Sequence, residues 1–221
     1  MRAHRFLPLL LAAPAITASA AVDISVNIGL PHLNIGINVP AMPELAPVPG
    51  CPVYYAPGMT VNFFFYDGMY WVYKDDNWYA SSWYNGPWAA VHPESVPVYV
   101  LQVPVAYYRR PPVYFRPWRR DAPPRWGEHW GPAWEQRRPD WNRRGPAPAP
   151  APVPVYQRQY RGGQYPGPER QPEIHREHYH YQPQEPVVRD NYQRQDDHAR
   201  RGPGGPHGPG VPPGPGGPHR P

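Results

Sequence analysis

The chain is predicted to be mainly β: a small antiparallel aromatic-rich meander, one or two short C-terminal helices, then a long disordered Pro/Gly-rich tail. Three observations predict this. Residues 53–91 hold four of the nine tryptophans in strand-like runs. Two turn pairs, Asp67-Gly68 and Asn85-Gly86, punctuate those runs, and both tolerate the positive φ that tight hairpins need. The 38 prolines and 20 glycines make up about a quarter of the 221 residues, in the low-complexity range.

Residues 1–20 read as a signal peptide. Arg2, His4 and Arg5 form a positive start, Phe6 to Ile16 a short apolar stretch, and Ala18-Ser19-Ala20 a small-residue cleavage pattern. The apolar stretch is too short to span a bilayer, and Pro8 and Pro14 break it. Residues 21–40 read as two short β-strands, Val22 to Ile28 and Leu33 to Val39, whose apolar residues alternate with polar ones. Such one-sided strands need a surface, either the meander or a second molecule. Residues 41–52 are a proline-rich linker, expected to be extended.

The module of residues 53–144 is aromatic and β-rich, with short Trp/Arg-rich helices at its end. Val61 to Tyr66 combines β-branched and aromatic residues, which suit a pleated surface, and it stops at Asp67-Gly68. Met69 to Tyr73 resumes as strand, and Lys74 to Asn77 is a polar connection. Trp78 to Tyr84 and Trp88 to Val91 give the third and fourth strands. Both faces are rich in rings, which either make a small core or leave one face open to sugars, peptides or a partner strand. Trp71, Trp78, Trp83 and Trp88 are the candidate aromatic binding face.

Val96 to Val105 reads as an apolar extended run, confined to a sheet edge by Pro97 and Pro104. Asp121 is a candidate helix cap, and Trp126, Trp130 and Trp134 recur every fourth residue on one helical face. Pro132 predicts two short helices joined at Gly131-Pro132. The stripe packs on the sheet or anchors at a membrane interface. Residues 145–221 carry 18 Pro and 12 Gly and read as a disordered tail with polyproline II character.

Charge is uneven. Residues 21–104 have one cation, Lys74, against six acids, whereas residues 105–144 have ten arginines against four acids. A basic segment after an acidic module suits an anionic partner or the module itself, and Arg109, Arg110, Arg119 and Arg120 are the candidate contacts. His175, His178 and His180 could bind a metal weakly, although a flexible tail offers no supporting shell.

Catalysis has little material. No phosphate loop, dinucleotide fingerprint, zinc-protease helix or nucleophile elbow is present. Beyond residue 20 the hydroxyl nucleophiles are Ser25, Thr60, Ser81, Ser82 and Ser95. Asp75 and Asp76 are neighbours on a turn and are expected to face water. Cys51 stands alone, so no internal disulfide can form. Arg161-Gly162-Gly163 is too short a tract to indicate nucleic-acid binding.

The run Tyr66-Asp67-Gly68-Met69-Tyr70-Trp71, followed by Trp78-Tyr79-Ala80-Ser81 and Tyr84-Asn85-Gly86-Pro87-Trp88, resembles a family of uncharacterised exported proteobacterial proteins. Tyr107-Tyr108-Arg109 and Pro123-Pro124-Arg125-Trp126-Gly127-Glu128-His129-Trp130 extend the likeness over about residues 51–141. The resemblance implies export and carries over no catalytic or binding residue. The expectation is a non-enzymatic envelope interaction or structural protein, periplasmic or envelope-associated. It would need no cofactor, contact a cell-envelope protein or polysaccharide, and have no nucleic-acid partner and no membrane span. The alternatives are a glycan- or peptidoglycan-binding module and weak metal binding by the tail histidines.

Overall fold

The computed structural model describes residues 36–143 and 145–201. The stretch read as a signal peptide, most of the stretch read as two N-terminal strands and the last twenty residues lie outside this range, and residues 36–40, the described end of the second expected strand, are not in a strand. Six strands form one antiparallel sheet in chain order: β1 (Ala46–Pro47), β2 (Tyr54–Tyr55), β3 (Asn62–Tyr66), β4 (Met69–Lys74), β5 (Asn77–Ser81) and β6 (Ala89–Val91).

Turn chemistry sets the register. Tyr66 pairs with Met69 across a two-residue turn in which Asp67 (φ 49°) and Gly68 (φ 86°) are both left-handed. Lys74 pairs with Asn77 across a second such turn, at Asp75 (φ 48°) and Asp76 (φ 62°), so the expected polar connection is itself a tight hairpin. The Asn77 amide donates to the Asp75 carbonyl at 2.7 Å and steadies that turn.

The aromatic residues sit on both faces because both faces are covered. On one face Phe64, Met69, Trp71, Tyr73 and Trp78 pack with residues from the 96–134 region and with Val188. On the other, Phe63, Phe65, Tyr70 and Val72 pack with Ile37, Val39, Tyr84, Trp88 and Ala151. A strand buried on both sides reads as a continuous apolar run, which accounts for Phe63-Phe64-Phe65. Ring pairs such as Phe64–Tyr108 at 5.0 Å add about 0.5–1.5 kcal/mol each beyond simple burial.

Helices fill the rest: α1 (Val98–Leu101), α2 (Trp126–Trp130), α3 (Pro132–Arg137), α4 (Gln171–His178) and α5 (Pro186–Arg201). α2 and α3 meet at Gly131 (φ 80°), as Pro132 predicts. Trp126 and Trp134 are buried, so the tryptophan stripe packs on the sheet.

Several expectations are corrected. The sheet is antiparallel, but with 33% helix and 15% strand among the described residues the fold is only partly β. The 41–52 linker contributes β1, whose Pro47 occupies an edge strand, where a missing N–H is tolerated. Val96 to Val105 is not one extended run but is broken by short helical turns at Val98–Leu101 and from Val105. Pro97 and Pro104 precede short helical turns with φ near the proline value, which lets Val100, Leu101 and Val105 turn inward. Asp121 caps no helix; its carboxylate takes the Arg119 guanidinium at 2.6 Å, and α2 starts at Trp126.

The largest correction concerns the tail. Its described part, residues 145–201, folds back over the sheet and extends the folded region beyond residue 144. Gln157 is fully buried; its side-chain oxygen accepts the Tyr70 hydroxyl and the Tyr84 N–H, each at 3.2 Å. Its amide nitrogen donates to the Ser82 carbonyl at 2.9 Å. At the other end of the tail, the Gln195 amide donates to the Ala80 carbonyl at 2.6 Å and accepts the Ser82 N–H at 2.9 Å. Pro172 and Pro186 stand in the first turns of α4 and α5, where proline suits a helix.

Candidate functional site

The site is built on Asn62, a buried amide at the start of β3. Its nitrogen donates to the carbonyls of Tyr73 at 3.0 Å and Arg110 at 2.9 Å, and its oxygen accepts the Arg110 N–H at 2.8 Å. The backbone of Arg110 is thereby fixed to the sheet. Three rings anchor the following segment: Tyr108, Phe115 and Trp118 are buried, with Tyr108 and Phe115 at 5.1 Å and Phe115 and Trp118 at 4.7 Å. Arg109, Arg110, Arg116, Arg119 and Arg120 are all exposed.

A cleft of about 400 Å³ runs between this segment and the β4–β5 turn, with Tyr73, Lys74, Asp76, Arg110 and Val113 among its walls. Lys74 pairs with Asp75 at 3.2 Å. Arg109, Arg110, Arg116 and Arg120 have no acidic partner among the described residues, while Arg119 and Arg125 pair with Asp121 and Glu128. The uncompensated positive charge therefore lies on the exposed face of the 109–120 segment; of these arginines only Arg110 lines the cleft, alongside Lys74, Asp75 and Asp76.

One end of the cleft is closed by a polar network. A single oxygen of Asp76, Oδ1, accepts the hydroxyls of Tyr73 and Tyr114 (the latter at 2.9 Å) and meets Nε2 of His129 at 2.7 Å. Tyr114 and His129 stack at 4.0 Å with their planes 7° apart. Burial alone pushes the Asp76 carboxyl up, but the hydrogen bonds from Tyr73, Tyr114 and His129 together outweigh it and hold the carboxyl below its ordinary value. Burial raises the Tyr73 and Tyr114 hydroxyls, and their bonds to the Asp76 carboxylate raise them further, so both stay protonated donors. An ionised oxygen taken up by three partners is a poor proton acceptor. The arrangement is suited to clamping the β4–β5 turn to α2 rather than to acid–base chemistry. Asp76 thus does more than face water, and its partners Tyr114 and His129 carried no local signal. Asn62 did: a polar residue inside the run Val61 to Tyr66 must find buried partners.

Of the two readings of the aromatic faces the structure shows the core and not the open platform: all four tryptophans of the candidate binding face are interior. Trp71 and Trp78 lie in one core cluster and Trp88 in the other, each at most 3% exposed. Trp83 is ringed by Tyr156, Tyr160 and Tyr165 at 5.5–5.8 Å. The tail covers the face that composition left open. The three histidines are not brought together either. His175 is buried with Nδ1 against the Tyr156 hydroxyl at 2.8 Å, and burial lowers its pKa to about 4. His178 and His180 are exposed. Among the described residues no group of three or more His, Cys, Asp or Glu is placed to hold a metal ion. Cys51 is half-buried, with its sulfur 3.7 Å from the Tyr99 carbonyl.

No family model, curated protein or solved structure matches the chain. No helix among the described residues is long and apolar enough to cross a membrane.

Proposed function

We propose that the protein is an exported, non-enzymatic envelope protein that holds an anionic envelope partner through the arginine segment 109–120. The observation that carries this reading is the fixed, uncompensated charge. Arg109, Arg110, Arg116 and Arg120 project from a backbone held by the Asn62 amide and by buried Tyr108, Phe115 and Trp118. The backbone beneath these guanidiniums is ordered before binding, so only side-chain freedom is lost, and their planar forks match carboxylate and phosphate oxygens. Export rests on the residue 1–20 pattern. The engagement of Asp76 Oδ1 by three partners and the buried Ser81, whose hydroxyl oxygen accepts the Trp83 backbone N–H at 3.0 Å, support a role without catalysis.

The test is co-sedimentation with purified cell-wall sacculi and with phosphatidylglycerol vesicles, at low and high salt. Binding should be present at low salt, weaken at high salt and fall about tenfold or more when Arg109, Arg110, Arg116 and Arg120 are changed to Gln. The two surfaces separate a polymer partner from a lipid one. Absence of binding to both, or binding indifferent to the four substitutions, overturns the reading.

A further inference from the structure

The described tail builds a second cleft, remote in sequence from the arginine segment, of about 510 Å³ between α4, the 179–183 stretch and α5. Such a volume is within the usual range for small-ligand sites. Its floor is aromatic: His175 and Tyr179 are buried, with their rings 4.9 Å apart. Half-buried Tyr181 and Tyr192 stand above it, Tyr181 at 5.9 Å from Tyr179 and Tyr192 at 5.3 Å from His175. The polar residues lie at the rim. Arg176 and Arg189 supply its charge and are exposed, as are Gln182 and Gln193, and no carboxylate is among the lining residues.

The walls are held in place. The Tyr181 hydroxyl donates to Asp67 Oδ1 and the Tyr179 hydroxyl to the Pro152 carbonyl, both at 2.6 Å. The Nε of Arg176 donates to the Pro172 carbonyl at 3.2 Å, which orients its guanidinium from the preceding helical turn. Neither Arg176 nor Arg189 forms an ion pair among the described residues.

The geometry points to this cleft as a binding site for an anionic saccharide: a uronic-acid-type sugar whose apolar ring face lies on the tyrosines and whose carboxylate is taken by the Arg176 and Arg189 guanidiniums. Each part of the ligand answers a feature of the site. Tyrosine faces take the C–H side of a pyranose ring, and arginine forks take a carboxylate by paired N–H bonds. Side-chain amides at the rim, which both donate and accept, suit sugar hydroxyls. A neutral sugar would leave the two guanidiniums unanswered, and a bare inorganic anion would leave the tyrosine wall unused.

The experiment is calorimetric titration of the full chain at low ionic strength with trigalacturonate, maltotriose and inorganic phosphate. Trigalacturonate should bind at least about tenfold more tightly than either control, since each control forfeits one of the two recognition elements. Arg176→Ala and Arg189→Ala should each weaken it about tenfold, with the far-ultraviolet circular dichroism unchanged, because alanine is at least as good a helix former as arginine. If either alanine variant fails to fold, Arg176→Lys and Arg189→Lys serve instead; they keep the charge and remove the fork, and a measurable loss is still expected. The assignment is overturned if trigalacturonate does not bind, or if maltotriose or phosphate binds as well. It is equally overturned if binding is lost on changing Arg109 and Arg110 but not Arg176 and Arg189. That last result would place the saccharide on the arginine segment, so this site and the proposed function fail separately.

Discussion

The Asp67 carboxylate receives the backbone N–H of Glu185 at 2.8 Å, 118 residues further along the chain. The same carboxylate accepts the Gln184 N–H with both oxygens at 2.9 Å and the Tyr181 hydroxyl at 2.6 Å. A residue chosen for its turn conformation thus also fastens the tail, just before α5 begins. Its neighbour Gly68 is doubly constrained. It has φ 86°, and a Cβ there would come within 3.2 Å of the Tyr181 ring.

Asp67→Asn separates these two duties. Asparagine accepts the left-handed turn conformation but carries no charge for the two N–H groups and the hydroxyl. Hydrogen bonds to a charged group contribute more than neutral ones, so the expected loss in unfolding free energy is about 2 kcal/mol. The loss should be local as well as global: hydrogen exchange at Gln184 and Glu185 should accelerate while β3 and β4 remain protected. Unchanged exchange at those two amides would show that the tail is held by other contacts.

Two buried indoles offer a contrast. Trp78 and Trp126 are 1% and 0% exposed, with ring centroids 6.0 Å apart. The Nε1 of Trp126 donates to the Leu101 carbonyl at 2.8 Å, whereas the Nε1 of Trp78 is buried without a partner among the described residues. Replacement by phenylalanine removes similar ring volume at each site, so the cavity costs largely cancel in the comparison. Trp126→Phe additionally orphans a carbonyl, and Trp78→Phe removes an unsatisfied donor. Trp126→Phe should therefore be the more destabilising by about 1–2 kcal/mol in paired urea titrations. Equal losses would mean that the Leu101 bond contributes nothing net.

The contrast between local and distant signals also explains what the sequence disclosed. Strands β3 to β6 were legible because Asp67-Gly68 and the alternating runs act over a few residues, and the α2–α3 break was legible from Gly131-Pro132. The second tight turn was hidden because Asp75-Asp76 is not a usual left-handed pair. What buries Trp83 was illegible because its cover, Tyr156, Tyr160 and Tyr165, lies far along the chain. Gln157, which bonds the Tyr84 N–H across 73 residues, sits in a stretch whose proline content suggested disorder. Scattered Tyr156, Tyr165, Ile174, Tyr179 and Val188 provide the apolar contacts there, and composition averages them away. At the candidate site, the exposed arginines were readable from charge asymmetry. The Tyr73–Asp76–Tyr114–His129 network was not, since its members come from three separate stretches.

The tail also confers a pH dependence. His175 is buried among Tyr156, Tyr179 and Tyr192, and burial lowers its pKa from an ordinary 6.5 to about 4. The folded state therefore keeps the ring neutral over an interval in which the unfolded chain takes up a proton. The stabilisation from this group is complete above pH 6.5. It declines as pH falls toward about 4, at up to about 1.4 kcal/mol per pH unit and roughly 3 kcal/mol in all. His175→Gln abolishes the titration while keeping an acceptor for the Tyr156 hydroxyl. Whatever the variant costs at pH 7, the stability difference between wild type and variant should move in the variant's favour by about 3 kcal/mol by pH 4. Denaturant titrations of both proteins across that range measure it directly. Parallel stability curves would show that His175 is protonated in the fold, and that the packing of α4 against Tyr156 is looser than the 2.8 Å contact implies.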